Sequence, residues 1–360
     1  MMHMGTSTLE PLIDDPIDAV SLNAFSALTK GSPAPYWLFR GVCGAWGIEQ
    51  PRARLDLITV SENATFLLLI DGEPEGVVRV SQPGYVGGPE AVASEIAWLN
   101  ALHDIDGIHL IDPVPTVRGT FVTKIRDLNG VGWTVVSTKF VEGTVLEDLD
   151  DPSSHYETIG SWAAEFHRQS RAWQRPYGFK RFNWDLSDMV GISPRWGRWE
   201  TAPLTDAQRE LCTAALDKAL AVMSDAPRTS RTWGLIHADL RPSNIIRGAD
   251  GTLTVIDFDD AGYGWYLYDY ASSLSFIEHK EYAPQLAQAW IRGYEHVAGD
   301  FSDVEREIMS ALSMIRRLQM LGWTTNHRED ALPDGLAREQ APGSVMCARR
   351  YLDDSFWLMR

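Results

Sequence analysis

Cysteine is scarce in this sequence. Cys43, Cys212 and Cys347 are the only three in 360 residues, and no C-x-x-C pair exists. That excludes a zinc ribbon and a disulfide framework, and it fits a reducing cytoplasm. No apolar run approaches the roughly 18 residues needed to span a bilayer. The opening MMHMGTSTLEPLIDD lacks the basic region and apolar core of a signal peptide. The sequon Asn63-Ala64-Thr65 is therefore expected to stay unglycosylated. Positive charge is also short: 32 Lys and Arg face 49 Asp and Glu, a net charge of −17. Nucleic acid and anionic membranes are thus poor partners, whereas a cationic small molecule is compatible. Internal repeats, low-complexity tracts and a G-x-x-x-x-G-K-[ST] loop are all missing, and the last absence excludes P-loop kinase chemistry.

What is present is an ordinary globular balance, 44% hydrophobic and 22% charged, in a chain long enough for two lobes. A helix is expected over residues 17–30. Leu55–Val60, Thr65–Ile70 and Gly76–Val80 then read as strands, with Asp71-Gly72 as a hairpin signal. The stretch GGPEAVASEIAWLNALHD reads as an amphipathic helix opened by Pro89 and Glu90. GTFVTKI and WTVVSTKFV read as two further strands around an Asn129-Gly130 turn. Beyond Glu142-Gly143 the period changes: residues 156–170, 205–223, 283–298 and 302–322 carry helical spacing, broken by strand-like Ile245–Arg247 and Leu253–Ile256. The expected division is an α+β lobe over residues 1–140 and a mainly helical lobe over 141–360.

The most informative stretch is WGLIHADLRPSNIIRG, Trp233 to Gly248, where apolar anchors flank a knot of His237, Asp239, Arg241, Ser243 and Asn244. Asp239 lies five residues before Asn244, and thirteen residues further on Asp257 ends an apolar run in VIDFDD. Two carboxylates and an amide so placed offer hard oxygen ligands for a cation such as Mg²⁺ and an acceptor for a hydroxyl proton.

The spacing matches the kinase catalytic loop H-R-D-x-x-x-x-N followed by D-F-G. Here it runs His237-Ala238-Asp239-Leu240-Arg241-Pro242-Ser243-Asn244, then Asp257-Phe258-Asp259. With alanine for arginine and aspartate for glycine, it resembles the aminoglycoside phosphotransferase and choline kinase-like family instead. SENATFLLL, VVRV, ASEIAWLNAL, KFVEGTVL, AAEFHR and GWYLYDYA resemble further segments of that family, so the resemblance spans roughly residues 20 to 325.

The resemblance implies a bilobal, protein-kinase-like fold. It also implies a kinase that uses ATP (or GTP) and Mg²⁺. Asp239 becomes the catalytic residue that orients and deprotonates the acceptor hydroxyl, with Asn244 and Asp257 as Mg²⁺ ligands. Arg79 becomes the phosphate-binding cation, Glu95 its partner from the following helix, and the Lys139 carbonyl and Val141 N–H the adenine contacts. The loop from Ser61 to Thr65 departs from G-x-G-x-x-G by having no glycine. Its backbone N–H groups and the Ser61 and Asn63 side chains are expected to meet the phosphates. His237 and Asp269 take supporting roles, Asp269 bracing the loop from beneath.

No A-P-E motif follows Asp257, and only eleven residues separate it from Asp269, too few for a protein-docking segment. The acceptor is therefore expected to be a small molecule, and the resemblance together with the net charge of −17 implies one with an amine: an aminoglycoside-like or other antibiotic, an amino alcohol, or a homoserine-like amino acid. Asp260 and Glu278 are the expected ammonium ligands, sheltered by Trp323 and by Trp196 and Trp199 in the loop SPRWGRWE. The competing readings are a stress-response Ser/Thr kinase of the same superfamily and a non-catalytic nucleotide-binding module. Intact Asp239, Asn244 and Asp257 argue against the second.

Overall fold

A computed structural model describes Phe25, residues 27–84, 87–149, 152–326, Leu332 and residues 335–359. Most of the helix expected over 17–30 lies outside the described residues. A helix that sequence periodicity missed, α1 (Tyr36–Trp46), precedes three antiparallel strands, β1 (Ala53–Val60), β2 (Asn63–Ile70) and β3 (Glu73–Ser81). Asp71 and Gly72 both take positive φ, 52° and 92°, which is what the tight β2–β3 hairpin demands. Helix α2 (Pro89–Leu102) follows, then β4 (His109–Leu110), β5 (Val122–Arg126) and β6 (Gly132–Lys139). The five-stranded sheet runs β1-β2-β3-β6-β5. The expected division at residue 140 falls where β6 ends.

Strand alternation sorts β3. Val78 and Val80 point into an apolar core that includes Leu38 and Val42 of α1, Phe66 of β2, and Trp133 of β6. Arg79, between them, points to the opposite face and is paired across the sheet with Thr65 and Val136.

The second part begins with β7 (Thr144–Val145) and continues through α3 (Tyr156–Ala172), α4 (Leu186–Val190) and α5 (Asp206–Ser224). Next come β8 (Trp233–Ile236), β9 (Ile245–Arg247), β10 (Leu253–Val255) and β11 (Gly262–Trp265). The chain closes with α6 (Tyr268–Ser273), α7 (Ala283–Ala298), α8 (Asp303–Asn326) and α9 (Leu336–Asp353). α9 was also missed by periodicity; it carries a proline at 342 and polar residues on a buried face. Helices α3 and α7 approach closely through Gly160 and Gly293, where any Cβ would strike the backbone of the opposite helix.

Two small sheets set the site. β8 pairs with β11, so the chain leaves Ile236 opposite Gly262. β10 pairs antiparallel with β9 and parallel with β4, while β7 pairs with β9. Asn244 therefore sits just before β9 and Asp257 just after β10, and the Ile256 N–H donates to the Asn244 carbonyl at 2.9 Å. Short strands thus bring residues thirteen apart in sequence to one sheet end.

Candidate active site

The catalytic-loop stretch is held from below by one carboxylate. Asp269, at the start of α6, is fully buried. It accepts the backbone N–H of His237 at 3.1 Å and of Ala238 at 2.7 Å, and the His167 Nε2–H at 2.9 Å. Burial pushes the His167 pKa below its ordinary value despite Asp269, so the ring is neutral, and Tyr294 OH donates to its Nδ1 at 3.0 Å. Ala238 has a φ of +66°, a left-handed conformation that costs a residue with a Cβ about 1–2 kcal/mol. The two N–H bonds to Asp269 are what hold it there. His237 is buried with its ring 4.5 Å from that of Phe258, and its Nδ1 accepts the Asp239 N–H at 3.3 Å.

Asp239 follows this bend. Its Oδ2 accepts from Asn244 Nδ2 at 2.7 Å and Arg241 Nε at 3.2 Å, and its Oδ1 accepts from Arg316 Nη2 at 2.7 Å. Burial acts to raise its pKa, but Arg241 and Arg316 outweigh burial and bring it below the ordinary value. Asn244 Nδ2 also donates to the Asp239 carbonyl at 2.9 Å, which turns the Asn244 amide oxygen away from Asp239. Asp257, with a φ of +60°, keeps its side chain 47% exposed and has its Oδ1 3.9 Å from Arg79 Nη1. Its pKa stands well above the usual carboxyl range, through its partial burial and then the neighbouring Asp259.

Arg79 and Glu95, which the resemblance pairs, lie together: Nη2 donates to both carboxylate oxygens, at 2.7 and 2.8 Å. Burial opposes the Arg79 charge, but Glu95, Asp259 and Asp257 keep the guanidinium protonated. Sequence reasoning missed Arg181. It lies 3.6 Å from Glu95, donates to the Ala91 carbonyl at 3.1 Å, and bonds the carbonyls of Asp259 and Ala261. It thereby ties α2 to the segment after Asp257.

The loop between β1 and β2 is tighter than expected. The Ser61 N–H closes the turn on the Asn63 carbonyl at 2.9 Å, so that amide is not offered to a phosphate. Asn63 is buried, and its Nδ2 donates to the Asp259 carboxylate. Glu62, unremarked in the sequence, accepts a hydrogen bond from the Trp323 indole on α8. The loop is thus attached to the second part at two points. Lys139 ends β6, with its ammonium 3.0 Å from Asp112; Val141 lies two residues on, in the link to β7.

The expected acceptor residues divide. Asp260 follows three residues after Asp257, and its backbone carbonyl accepts from Trp184 Nε1 at 2.7 Å. Its carboxyl is pushed well above the usual range by burial and then by Asp259, Asp239 and Glu62. The Trp323 ring lies 5.9 Å from that of Phe276, a residue at a φ of +74°. Glu278 is turned elsewhere: it is fully buried and its carboxylate takes Arg317 Nη1 at 2.8 Å, so it faces a helix rather than a ligand. The Trp196–Trp199 loop does not overhang the cleft either. Trp196 and Trp199 are 6% and 3% exposed, and Trp196 packs on Trp184 at 4.8 Å and beneath the Arg316 guanidinium at 5.0 Å. Aromatic bulk, where there was core to fill, outweighed the Pro and Gly that suggested a surface loop.

Arg316 was also missed. Its signal was legible: the Arg316-Arg317 doublet interrupts a helix whose residues 308 to 322 are buried throughout, and a buried cation requires an anion.

The donor set fits a hard cation. Asn244 offers a carbonyl oxygen turned away from Asp239, and Asp257 offers a carboxylate crowded by Asp259, a repulsion that a cation relieves. No cluster of three His, Cys, Asp or Glu with metal-holding geometry occurs among the described residues. Mg²⁺ binds through one or two carboxylates with substrate phosphates and water completing its shell, so an amide oxygen and one carboxylate are compatible with it.

A five-stranded lobe above a helical one, with a loop aspartate opposite an arginine–glutamate pair, defines a phosphotransferase on the protein-kinase plan. The chain belongs to the phosphotransferase enzyme family APH, whose family model matches residues 58–305. It is similar to amicoumacin kinase of Bacillus subtilis (strain 168), 25% identical over 225 residues. That match covers 62% of this chain and 62% of the relative, so it spans less than two thirds of the relative's length. Among solved structures, a microcompartment-associated aminopropanol kinase superposes with a TM-score of 0.77 at 30% identity, covering 89% of this chain and 98% of that one. The amicoumacin kinase hAmiN, solved with AMP-PNP, Ca²⁺ and Ami, shares the fold with a TM-score of 0.66 at 16% identity, covering 87% and 92%. No helix among the described residues is long and apolar enough to cross a membrane.

Proposed function

We propose that this chain transfers the γ-phosphoryl group of ATP to a hydroxyl of a small, amine-bearing alcohol. The meeting of Asp239, Asn244 and Asp257 at one sheet end, facing Arg79, carries the reading. Asp239 accepts the hydroxyl proton as the acceptor oxygen bonds to the γ-phosphorus. The bond from that phosphorus to the bridging oxygen breaks, and ADP leaves. Asn244 and Asp257 hold Mg²⁺, which when bound neutralises charge on the phosphate oxygens. Arg79, fixed by Glu95, takes a phosphate, as do the Ser61 hydroxyl and Asn63 once its amide leaves Asp259. The Lys139 carbonyl and Val141 N–H take the adenine edge. Asp260, with Trp323 as the candidate shelter, takes the acceptor ammonium. The similarity to kinases named for aminopropanol and amicoumacin supports an amine-bearing acceptor.

The experiment is an ATP-consumption screen over ethanolamine, 1-amino-2-propanol, homoserine, aminoglycosides and amicoumacin, each simple amine paired with its N-acetyl analogue. Turnover of at least one amine is expected, with kcat/KM lower by about tenfold or more for the neutral analogue. Asp239→Asn should lower kcat by about 10²–10⁴ with ATP affinity little changed. Equal turnover of amine and amide removes charge as the selector, and an Asp239→Asn variant as active as wild type removes the mechanism.

A further inference from the structure

Asp239 is held from two sides that are not equivalent. An ionised carboxylate offers about two acceptor sites on each oxygen. Oδ2 has both filled, by Arg241 Nε and Asn244 Nδ2. Oδ1 takes Arg316 Nη2 and keeps one site open. The acceptor hydroxyl therefore has one oxygen on which to dock, and it is the oxygen that Arg316 holds.

Arg316 is itself committed at every nitrogen. It is fully buried on α8. Its Nε donates to Ser275 Oγ at 2.9 Å and its Nη1 to Tyr268 OH at 2.7 Å, while Tyr268 OH donates to Gln319 Oε1 at 2.5 Å. Its guanidinium carbon lies 5.0 Å from the Trp196 ring centroid and 5.4 Å from that of Tyr268. Packing alone would be served by Leu or Met, and a buried guanidinium is costly unless each N–H finds a partner. The neighbouring Arg317 supplies the comparison. It turns away from the site to Glu278, Ser344 and the Gln340 carbonyl, with no link to Asp239.

We propose that Arg316 is a positioning residue for phosphoryl transfer: anchored by Ser275, Tyr268 and Trp196, it fixes Asp239 so that Oδ1 presents its open site to the acceptor hydroxyl. The inference rests on the reading above, in which Asp239 takes the hydroxyl proton. Arg316 touches neither substrate. The proton passes to Oδ1 as the acceptor oxygen bonds the γ-phosphorus and ADP departs. Trp196 then acts through Arg316, at one remove from the ligand.

The test uses the full chain and two reactions. One is transfer from Mg·ATP to the alcohol that turns over fastest in the screen. The other is the slow hydrolysis of Mg·ATP without acceptor, in which water takes the hydroxyl's place. Arg316→Met should lower kcat by about a hundredfold in both, the scale of a misplaced reacting group, while KM for ATP and for the alcohol stays within about threefold. Arg316→Lys, which keeps the charge but not the fork, should recover part of the loss. Tyr268→Phe should lower kcat by roughly three- to tenfold. Glu278→Gln, which unbalances the other arginine, should lower the melting temperature and leave kcat unchanged. An Arg316→Met kcat within about twofold of wild type overturns the proposal, as does a raised KM at unchanged kcat, the mark of a binding group. If Arg316→Met does not fold, Tyr268→Phe decides by the same criteria. Asp239→Asn separates the two failures: inactive Asp239→Asn beside fully active Arg316→Met removes the positioning role alone, whereas active Asp239→Asn removes the underlying reading.

Discussion

Replacing Asp269 by Asn changes one oxygen for an NH₂ group and removes one charge. Three N–H groups converge on the native carboxylate, two on Oδ2 and one on Oδ1. The best orientation of the amide keeps its oxygen where Oδ2 was and sets its NH₂ against the Ala238 N–H. A buried donor left without an acceptor costs about 1–3 kcal/mol. The two surviving bonds change from charge-assisted to neutral, which loses about 1 kcal/mol each. The sum is about 3–5 kcal/mol, and at roughly 2–4 °C per kcal/mol the melting temperature should fall by about 10 °C.

The second consequence is chemical. Of the two bonds that hold the Ala238 φ of +66°, the one to Ala238 itself is lost and the other weakened, so the bend relaxes and Asp239 moves. A displacement near 1 Å at a reacting group lowers kcat by about a hundredfold. Urea titration would give the stability, and turnover per folded molecule would give the chemistry. A melting temperature within about 2 °C of wild type, together with kcat within about twofold, would refute the claim that Asp269 sets the bend.

Asp257→Ala should abolish the Mg²⁺ dependence of ATP binding in calorimetry, and unchanged Mg·ATP affinity would place the metal elsewhere. Two glycines should respond oppositely to alanine. Gly293→Ala forces a Cβ onto the Glu157 carbonyl and should cost about 1–3 kcal/mol in chemical denaturation, whereas Gly44→Ala, on an open face of α1, should gain about 0.5–1 kcal/mol. Burial, aided by Arg317 and Lys280, lowers the His279 pKa from 6.5 to about 4. A depressed folded-state pKa gives stability that is present above the unfolded value and lost as pH falls through the folded one. Stability should therefore fall between pH 6.5 and 4, and His279→Gln should flatten that fall by up to about 1.4 kcal/mol per pH unit. Parallel pH curves would refute the assignment.

How far the structure was legible in the sequence depends on what carried each signal. The β-hairpins were legible because Asp71-Gly72 and alternation along β3 are local. That Asn244 and Asp257 lie at one sheet end follows from their short spacing: β9 and β10, only three residues each, leave little freedom in where they can lie. Arg79 and Glu95 were legible only through the resemblance, since nothing local to the strand or the helix that follows says that they meet. Glu278 was misjudged because nothing local records which face of a segment turns inward, and Arg317, 39 residues away, decided it. The tryptophans of the 193–200 loop were misjudged because a Trp in a polar context can fill a core gap as well as a binding surface. Glu62 and Arg181 depend on partners 261 and 80 residues distant, and no sequence pattern of one chain announces such pairs.

The distribution of charge across the cleft yields the last expectation. Its cations, Arg79, Arg181, Arg241 and Arg316, sit in the walls, and each is already paired with a carboxylate or a carbonyl. Its anions include Asp257, which is 47% exposed, and Asp260, which Asp259, Asp239 and Glu62 crowd. The unliganded site thus crowds carboxyl groups near the opening, and a cation that enters favours their ionised forms and removes repulsion. Binding to the folded chain alone stabilises by RT ln(1 + [L]/Kd), about 2.7 kcal/mol at a hundredfold excess over Kd. Mg²⁺ without nucleotide should therefore raise the melting temperature, and an accepted amine should add to the rise because Asp257 and Asp260 answer to different ligands. Asp260→Asn should remove the amine increment and keep the Mg²⁺ increment. If both increments vanish together in Asp260→Asn, one ion serves both carboxylates and the separation of metal and ammonium sites is wrong. If the amine increment persists, the acceptor's charge is met by another residue.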